Sequence, residues 1–296
     1  MAEQFEAHRR YLTGLAYRML GSMSEAQDIV QDAYLRWHGT DRDGIDNPRA
    51  FLAKVVTRLC LDHLKSARVR RETYVGPWLP EPILDAEALK IYLLEDPAQG
   101  LAEDLAEDLS VAFMLALERL SPLERAAFLL HDIFGMEFEA VARILDRSEP
   151  ACRQLASRAR SHVREAKPRF PVSTERGAVL AQAFLDAVLR GDPGILSSLL
   201  AQDAVLVSDG GGKVPAALNP IDGRDKIMRF FLGIARKTDG YRGLEIRSGR
   251  INGLPGFVLS GPDGLVQTMS FATQGSAIQA IYIVRNPDKL AHIVES

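Results

Sequence analysis

Apolar residues recur at helical spacing through the first 166 positions, and at the alternating spacing of strands after about residue 200. The first helical stripe is Leu12, Leu15, Ala16, Met19 and Leu20; Gly21 interrupts it, and Ser24 is the expected cap of a second helix. That second helix turns Ile29, Val30, Ala33 and Trp37 inward and Asp28, Gln31, Asp32 and Leu35 outward. Gly39 to Asn47 is a polar loop. Pro48 opens a third helix, expected to reach Ala67, with Phe51, Leu52, Val55, Val56, Leu59 and Leu64 buried and Arg58, Asp62 and Lys65 facing away. Trp37 and Phe51 each sit in an apolar pattern, which assigns them to the core.

A second helical block runs from Leu120 to Lys167. Ser121-Pro122-Leu123-Glu124 supplies a capping hydroxyl, a proline where no amide is needed and the glutamate of a capping box. Gly135 ends this helix. Glu137 to Leu145 is a short helix with Phe138, Val141, Ala142 and Leu145 on one side, followed by the turn Asp146-Arg147-Ser148. The last helix, Glu149 to about Glu165, is expected to bury Ala151, Leu155, Ala159 and Val163, leaving Arg153, Arg158, Arg160 and Arg164 outside. Three capped helices ending in a basic one form a helix-turn-helix, whose final helix enters the major groove by its first half. Glu149, Arg153, Gln154, Ser157 and Arg158 are therefore the candidates for base edges, and Arg160, Arg164 and Lys167 for phosphates.

The pattern changes after Pro168 and Pro171. Helices are predicted at 174–190, 195–200 and 222–236, and strands at 204–208, 243–251, 256–260, 265–273 and 276–284, an α+β unit with helices first and a curved antiparallel sheet after.

Length and charge sharpen this picture. A chain of 296 residues with 47% hydrophobic content can form two to three cored domains. Its net charge of −3 is unusual for a free-standing DNA binder, because the basic residues are local. They cluster at Lys65, Arg68, Arg70 and Arg71 and again from Arg153 to Arg169, whereas 85–108 is acidic, with Lys90 its only basic residue. Such a chain should bind DNA weakly alone and well beside a partner that supplies further contacts. Cys60 and Cys152 lack metal-ligand or CxxC spacing and are expected to be packing residues. No apolar run reaches the ~18 residues of a membrane span, so no membrane role and a cytoplasmic location are expected.

Four strings in order, GSMSEAQDIVQDAYLRW, NPRAFLAKVVTRLCLDHLKSARVRRE, SPLERAAFLLHDIFGMEFEAVARIL and RQLASRAR, resemble regions 2 and 4 of an extracytoplasmic-function (ECF) sigma factor. The resemblance implies that Asp28, Gln31, Asp32 and Leu35 dock on the clamp coiled coil of bacterial core RNA polymerase. It also implies that the Gly39–Asn47 loop and the helix after it read and open the −10 promoter element, with Arg49, Lys54, Arg58 and Lys65 holding the single strand. Similar proteins often carry asparagine at the position of Arg58. The helix-turn-helix would read the −35 element.

Between the two modules, Tyr74-Val75-Gly76-Pro77-Trp78-Leu79-Pro80-Glu81-Pro82 reads as extended, since three prolines forbid helix. The string WLPEP resembles the linker of the SigJ-type branch, whose members carry a SnoaL-like, nuclear-transport-factor-like carboxy-terminal cone. Two further strings of that branch are Asp209-Gly210-Gly211-Gly212-Lys213 and Asn286-Pro287-Asp288-Lys289-Leu290. Unaided, the first reads as a mobile hairpin turn and the second as a surface turn. The resemblance implies instead that both contact the sigma core or its linker, where Trp78, Leu79 and Pro80 lie, and set activity in place of an anti-sigma partner.

The expected domains are 5–72 (region 2), 73–108 (linker), 109–167 (region 4) and 174–296 (the cone), multidomain overall. No cofactor or metal is implied. One alternative is a one-component regulator whose cone senses an unknown small molecule; another is an enzyme domain fused to a transcription module. For the latter, Asp203, Asp209 and His292 are the polar candidates, and no recognisable catalytic pair emerges.

Overall fold

The computed structural model describes residues 2–41, 44–72, 74–84, 110–166, 174–237, 243–261, 264 and 266–294. These separate into two units. Residues 2–72 and 110–166 form the first, and 74–84 together with 174–294 form the second. The acidic stretch 85–108 and Lys167 lie outside the described residues, as do the side chains of Arg68, Arg70 and Arg71.

In the first unit, α1 (Ala2–Leu20) and α2 (Met23–His38) meet at Gly21, whose φ of +72° suits a residue without a side chain. The cap of α2 is Ser22, not Ser24: its side chain accepts from the Glu25 amide at 3.2 Å. The glycine reverses the chain at once, so the next residue is already extended and Ser24 falls inside the helix. Helix α3 (Pro48–Glu72) starts with Asn47 accepting from the Ala50 amide and runs five residues past the expected end, through a basic stretch that contains no breaker. Leu12, Leu15, Ala16, Met19, Leu20, Val30, Ala33, Trp37, Leu52 and Val56 are buried as their spacing requires.

The helix-turn-helix module contains α4 (Val111–Glu118), α5 (Pro122–Phe128), a π-helical segment (Leu129–Ile133), α6 (Phe138–Leu145) and α7 (Glu149–Ala166). The capping box is complete: the Ser121 amide and hydroxyl both reach Glu124 Oε2, at 3.0 and 2.7 Å. Gly135, with φ +65°, follows the π segment. The buried stripe of α7 is Cys152, Ala156, Ala159 and Val163; Ala151 and Leu155 are only half-buried, a one-residue correction to the expected stripe. Both patterns fit a helix, and packing against the neighbouring helices decides between them.

The two modules pack on each other within this unit. Arg125 of α5, 3% exposed, donates to the Met19 carbonyl in the last turn of α1 and to Glu118 at 2.7 Å. It thus fills one of the carbonyls that a helix end leaves without a partner. Burial pushes the guanidinium down to about 10, which still leaves it charged near neutrality. Phe134 meets Tyr11 edge-on at 4.9 Å and lies under Arg18.

The second unit has α8 (Thr174–Arg190), α9 (Pro193–Leu199), β1 (Leu200–Asp209), β2 (Ile221–Asp222), α10 (Arg224–Lys237), β3 (Glu245–Ile251), β4 (Leu254–Ser260), β5 (Val266–Gln274), β6 (Ala277–Val284) and α11 (Pro287–Val294). The strand order is β2-β1-β6-β5-β4-β3. The sheet is mixed rather than antiparallel, because β1 pairs parallel with β6, with Val207 opposite Tyr282. Alternation along a strand fixes which face is buried but not the direction of its neighbour. The α+β core is filled by side chains, among them Phe184, Phe231, Phe257 and Phe271 in edge-to-face contact.

Candidate nucleic-acid interface and linker-binding site

The exposed face of α7 is the basic one. Arg153, Gln154, Ser157, Arg158 and Arg164 are exposed, and Glu149 is half-buried at the helix start. Arg153 Nη2 donates to Glu149 Oε2 at 2.6 Å, and Arg160 is tied to Asp132 at 2.6 Å. These are surface pairs, worth a few tenths to ~1 kcal/mol each.

In the other module, Asp28, Gln31 and Asp32 are exposed on α2 and Leu35 is 60% exposed, an acidic and apolar face that no described residue covers. Arg58 and Lys65 are exposed on α3, and Lys65 pairs with Asp62 at 2.8 Å. Lys54 is half-buried. Arg49 lies over the Tyr11 ring at 4.3 Å, so its guanidinium is partly engaged by the same cluster that receives Phe134. Trp37 is buried, 5.8 Å from Phe51.

The second unit contains a densely bonded polar site, built around Asp209 at the end of β1. Its side chain is fully buried. One carboxylate oxygen accepts from the Tyr74 hydroxyl at 2.5 Å and the Gly211 amide at 3.0 Å; the other accepts from the Leu79 amide at 2.9 Å and Lys289 Nζ at 2.7 Å. Lys289 also donates to the Leu79 carbonyl and stands over the rings of Trp78 at 4.4 Å and Tyr74 at 5.2 Å. A buried charge needs this kind of complete satisfaction. Burial, and then the hydrogen bond to Asp209, push the Tyr74 phenol well above its ordinary range.

The rest of the linker is laid along the same surface. Leu79, Pro80, Glu81, Pro82 and Ile83 are buried. Ile83 exchanges hydrogen bonds with Asn252, its amide to Asn252 Oδ1 at 3.2 Å and its carbonyl from the Asn252 amide at 2.8 Å. His292 on α11 places Nε2 2.8 Å from the Pro82 carbonyl and Nδ1 3.2 Å from Glu81. Leu84 then bridges to Ile251.

The Gly-rich turn and the Asn-Pro turn are parts of this clamp, which corrects their unaided reading as a mobile turn and a surface turn. Gly210, Gly211 and Gly212 form a tight turn; Gly211 (φ +61°) abuts the Asn286 side chain and Gly212 (φ +70°) abuts Val75. Asn286 is 4% exposed and donates to the Tyr74 hydroxyl at 3.0 Å. Pro287 opens α11, Leu290 is buried, and Asp288 takes two hydrogen bonds from Lys213 outside, at 2.6 and 2.7 Å. Tyr74, Glu81, Asn252 and His292 were not marked by the sequence as clamp residues. The linker's aromatic pair Tyr74 and Trp78 was the available signal.

None of the three polar candidates for pocket chemistry lines the groove of about 430 Å³ between α8 and β3–β4, whose lining includes Gln182, Ser248, Arg250 and Phe257. Asp203 is exposed, while Asp209 and His292 face the linker. Among the described residues no group of three or more His, Cys, Asp or Glu side chains could hold a metal, and no helix is long and apolar enough to cross a membrane. Cys60 and Cys152 are buried free thiols.

Comparison with known proteins agrees with the first unit's architecture. The Sigma-70 region 2 family matches residues 4–70 and the Sigma-70 region 4 family residues 110–163. The chain is 39% identical to the ECF RNA polymerase sigma factor SigJ of Mycobacterium tuberculosis over 97% of its own length and 92% of that protein. The crystal structure of SigJ superposes with a TM-score of 0.75 at 35% identity, covering 98% of both chains. A two-module helical unit carrying both sigma regions, continued by an α+β domain over the full length of such a relative, places this chain in the family of ECF RNA polymerase sigma factors.

Proposed function

We propose that this chain directs bacterial core RNA polymerase to its promoters, and that its carboxy-terminal domain sets that activity by holding the linker between regions 2 and 4. In this reading the exposed face of Asp28, Gln31, Asp32 and Leu35 docks on the polymerase clamp. Arg49, Lys54, Arg58 and Lys65 hold the −10 strand, and α7 reads the −35 element through Glu149, Arg153, Gln154, Ser157 and Arg158, with Arg160 and Arg164 on phosphates. The protein works in the cytoplasm, where polymerase is, as a transcription factor rather than an enzyme. The observation that carries the regulatory part is the burial of Leu79 to Ile83 and the fourfold bonding of Asp209, two of whose donors come from the linker itself.

The test is transcription from a cognate promoter with purified core polymerase, comparing the full chain, a truncation after Arg169, a chain lacking Asn286 to Ser296, and Lys289→Met. Core-dependent initiation that differs between the full chain and the other three supports both parts. Equal initiation by all four removes the regulatory part. No initiation by any of them, with the full chain still retarding duplex alone, removes the first.

A further inference from the structure

Arg153 is the first arginine of α7 and stands in the half of the helix that would meet base edges. A long exposed arginine loses much rotamer freedom when it is fixed on a base, and a side chain already held in place loses less. Here it is held. One of its five N–H groups goes to Glu149 Oε2 at 2.6 Å, and its guanidinium lies over the ring of Phe138, 4.9 Å from the centroid. Phe138, the first residue of α6, is only half-buried, so its ring is not consumed by the core. It stacks in turn on His131, with centroids 3.8 Å apart and planes at 25°.

His131 is itself fixed. Its Nδ1 lies 2.8 Å from the Met136 carbonyl, which can only accept, so Nδ1 carries the proton. The residue belongs to the π-helical segment Leu129–Ile133, where Phe134 bonds back five residues to Leu129. Such a segment widens the last turn of the helix, and π segments of this kind occur often at functional positions.

We propose that Phe138 and His131 are positioning residues for Arg153, holding its guanidinium as a fork for one base pair of the −35 element. The inference rests on the reading of α7 as the base-contacting helix. Glu149 occupies one donor and leaves four, and a bidentate contact to guanine O6 and N7 uses two. Guanine is therefore the base this arrangement fits.

The experiment uses holoenzyme, core polymerase with the full chain, on promoters in which each −35 base pair is substituted singly. Arg153→Ala is expected to lower discrimination at one base pair by about 10-fold or more. Phe138→Leu is expected to lower it at the same pair by about 2- to 5-fold, the worth of a cation–π contact, with discrimination at the other pairs and the salt dependence of binding unchanged. Phe138→Tyr, which keeps a π face, should restore it. His131→Leu should follow Phe138→Leu at that pair. If Arg153→Ala changes no base preference, the reading of α7 fails. If Arg153→Ala acts but Phe138→Leu leaves that pair untouched, or weakens all pairs uniformly, the positioning role is overturned.

Discussion

Replacing Lys289 by methionine tests the linker clamp most directly. Methionine keeps most of the stem's apolar volume, so the change removes the ammonium and little else. Asp209 would then be a fully buried carboxylate without its cation, a loss that in buried pairs costs ~3–5 kcal/mol. Three donors remain on Asp209, from Tyr74, Leu79 and Gly211, which argues for the lower end. About 3 kcal/mol corresponds to roughly 100-fold in the docking equilibrium of the linker. Hydrogen exchange reads this locally, since the Leu79 amide donates to Asp209 Oδ2 and the Ile83 amide to Asn252 Oδ1. Both should exchange about 100-fold faster in the variant, while amides of the β1–β6 pairing keep their protection. Unchanged exchange at Leu79 and Ile83 in Lys289→Met would refute the view that this ion pair holds the linker.

Three further outcomes follow from the same geometry. Arg125→Met leaves Glu118 and the Met19 carbonyl without their buried donor and should cost the first unit ~2–4 kcal/mol in urea unfolding. The Tyr74 phenol is raised in the folded state, so the stability it contributes is complete below its unfolded value near 10.0 and declines as pH rises above that toward the folded value. Stability of the wild type relative to Tyr74→Phe should therefore fall above about pH 10 and be flat below it. Gly211→Ala places a side chain at φ +61° against Asn286 and should cost ~1–3 kcal/mol, seen as a lower melting temperature of the full chain.

Much of the architecture was written in local chemistry. Spacing located the helices of the first unit to within about five residues, except α4, for which it made no prediction, and Ser121, Pro122 and Glu124 specified a cap that forms as expected, since all its atoms lie within four residues. Composition placed the basic face of α7 outside for the same reason: hydration of charge is decided by the residue itself. Errors arose where two local solutions were nearly equal. Ser22 and Ser24 could both cap α2, and the left-handed Gly21 chose the nearer. Ala151 and Leu155 compete with Cys152 and Ala156 for the inner face of α7, and packing chose the second pair.

The clamp is of a different kind. Asp209, Asn286 and Lys289 are polar residues in or beside Gly- and Pro-rich turns, and local rules send such residues to the surface. Their burial depends on partners far along the chain: Asp209 to Leu79 spans 130 positions and Lys289 to Leu79 spans 210. Only the family resemblance pointed to contact there, and it did not supply Tyr74, Asn252 or the His292–Glu81 pair. Arg125 is the same case in the first unit, an arginine on an apolar helix whose partner is a carbonyl on another module. The parallel β1–β6 pairing completes the set, because strand direction is fixed by the path of the chain between them. The sequence determined by itself what each segment is, since hydrogen bonding and burial within a turn or a helix are local. Tertiary structure decided which polar groups could be buried, because a buried charge or amide is stable only when its partners arrive from elsewhere.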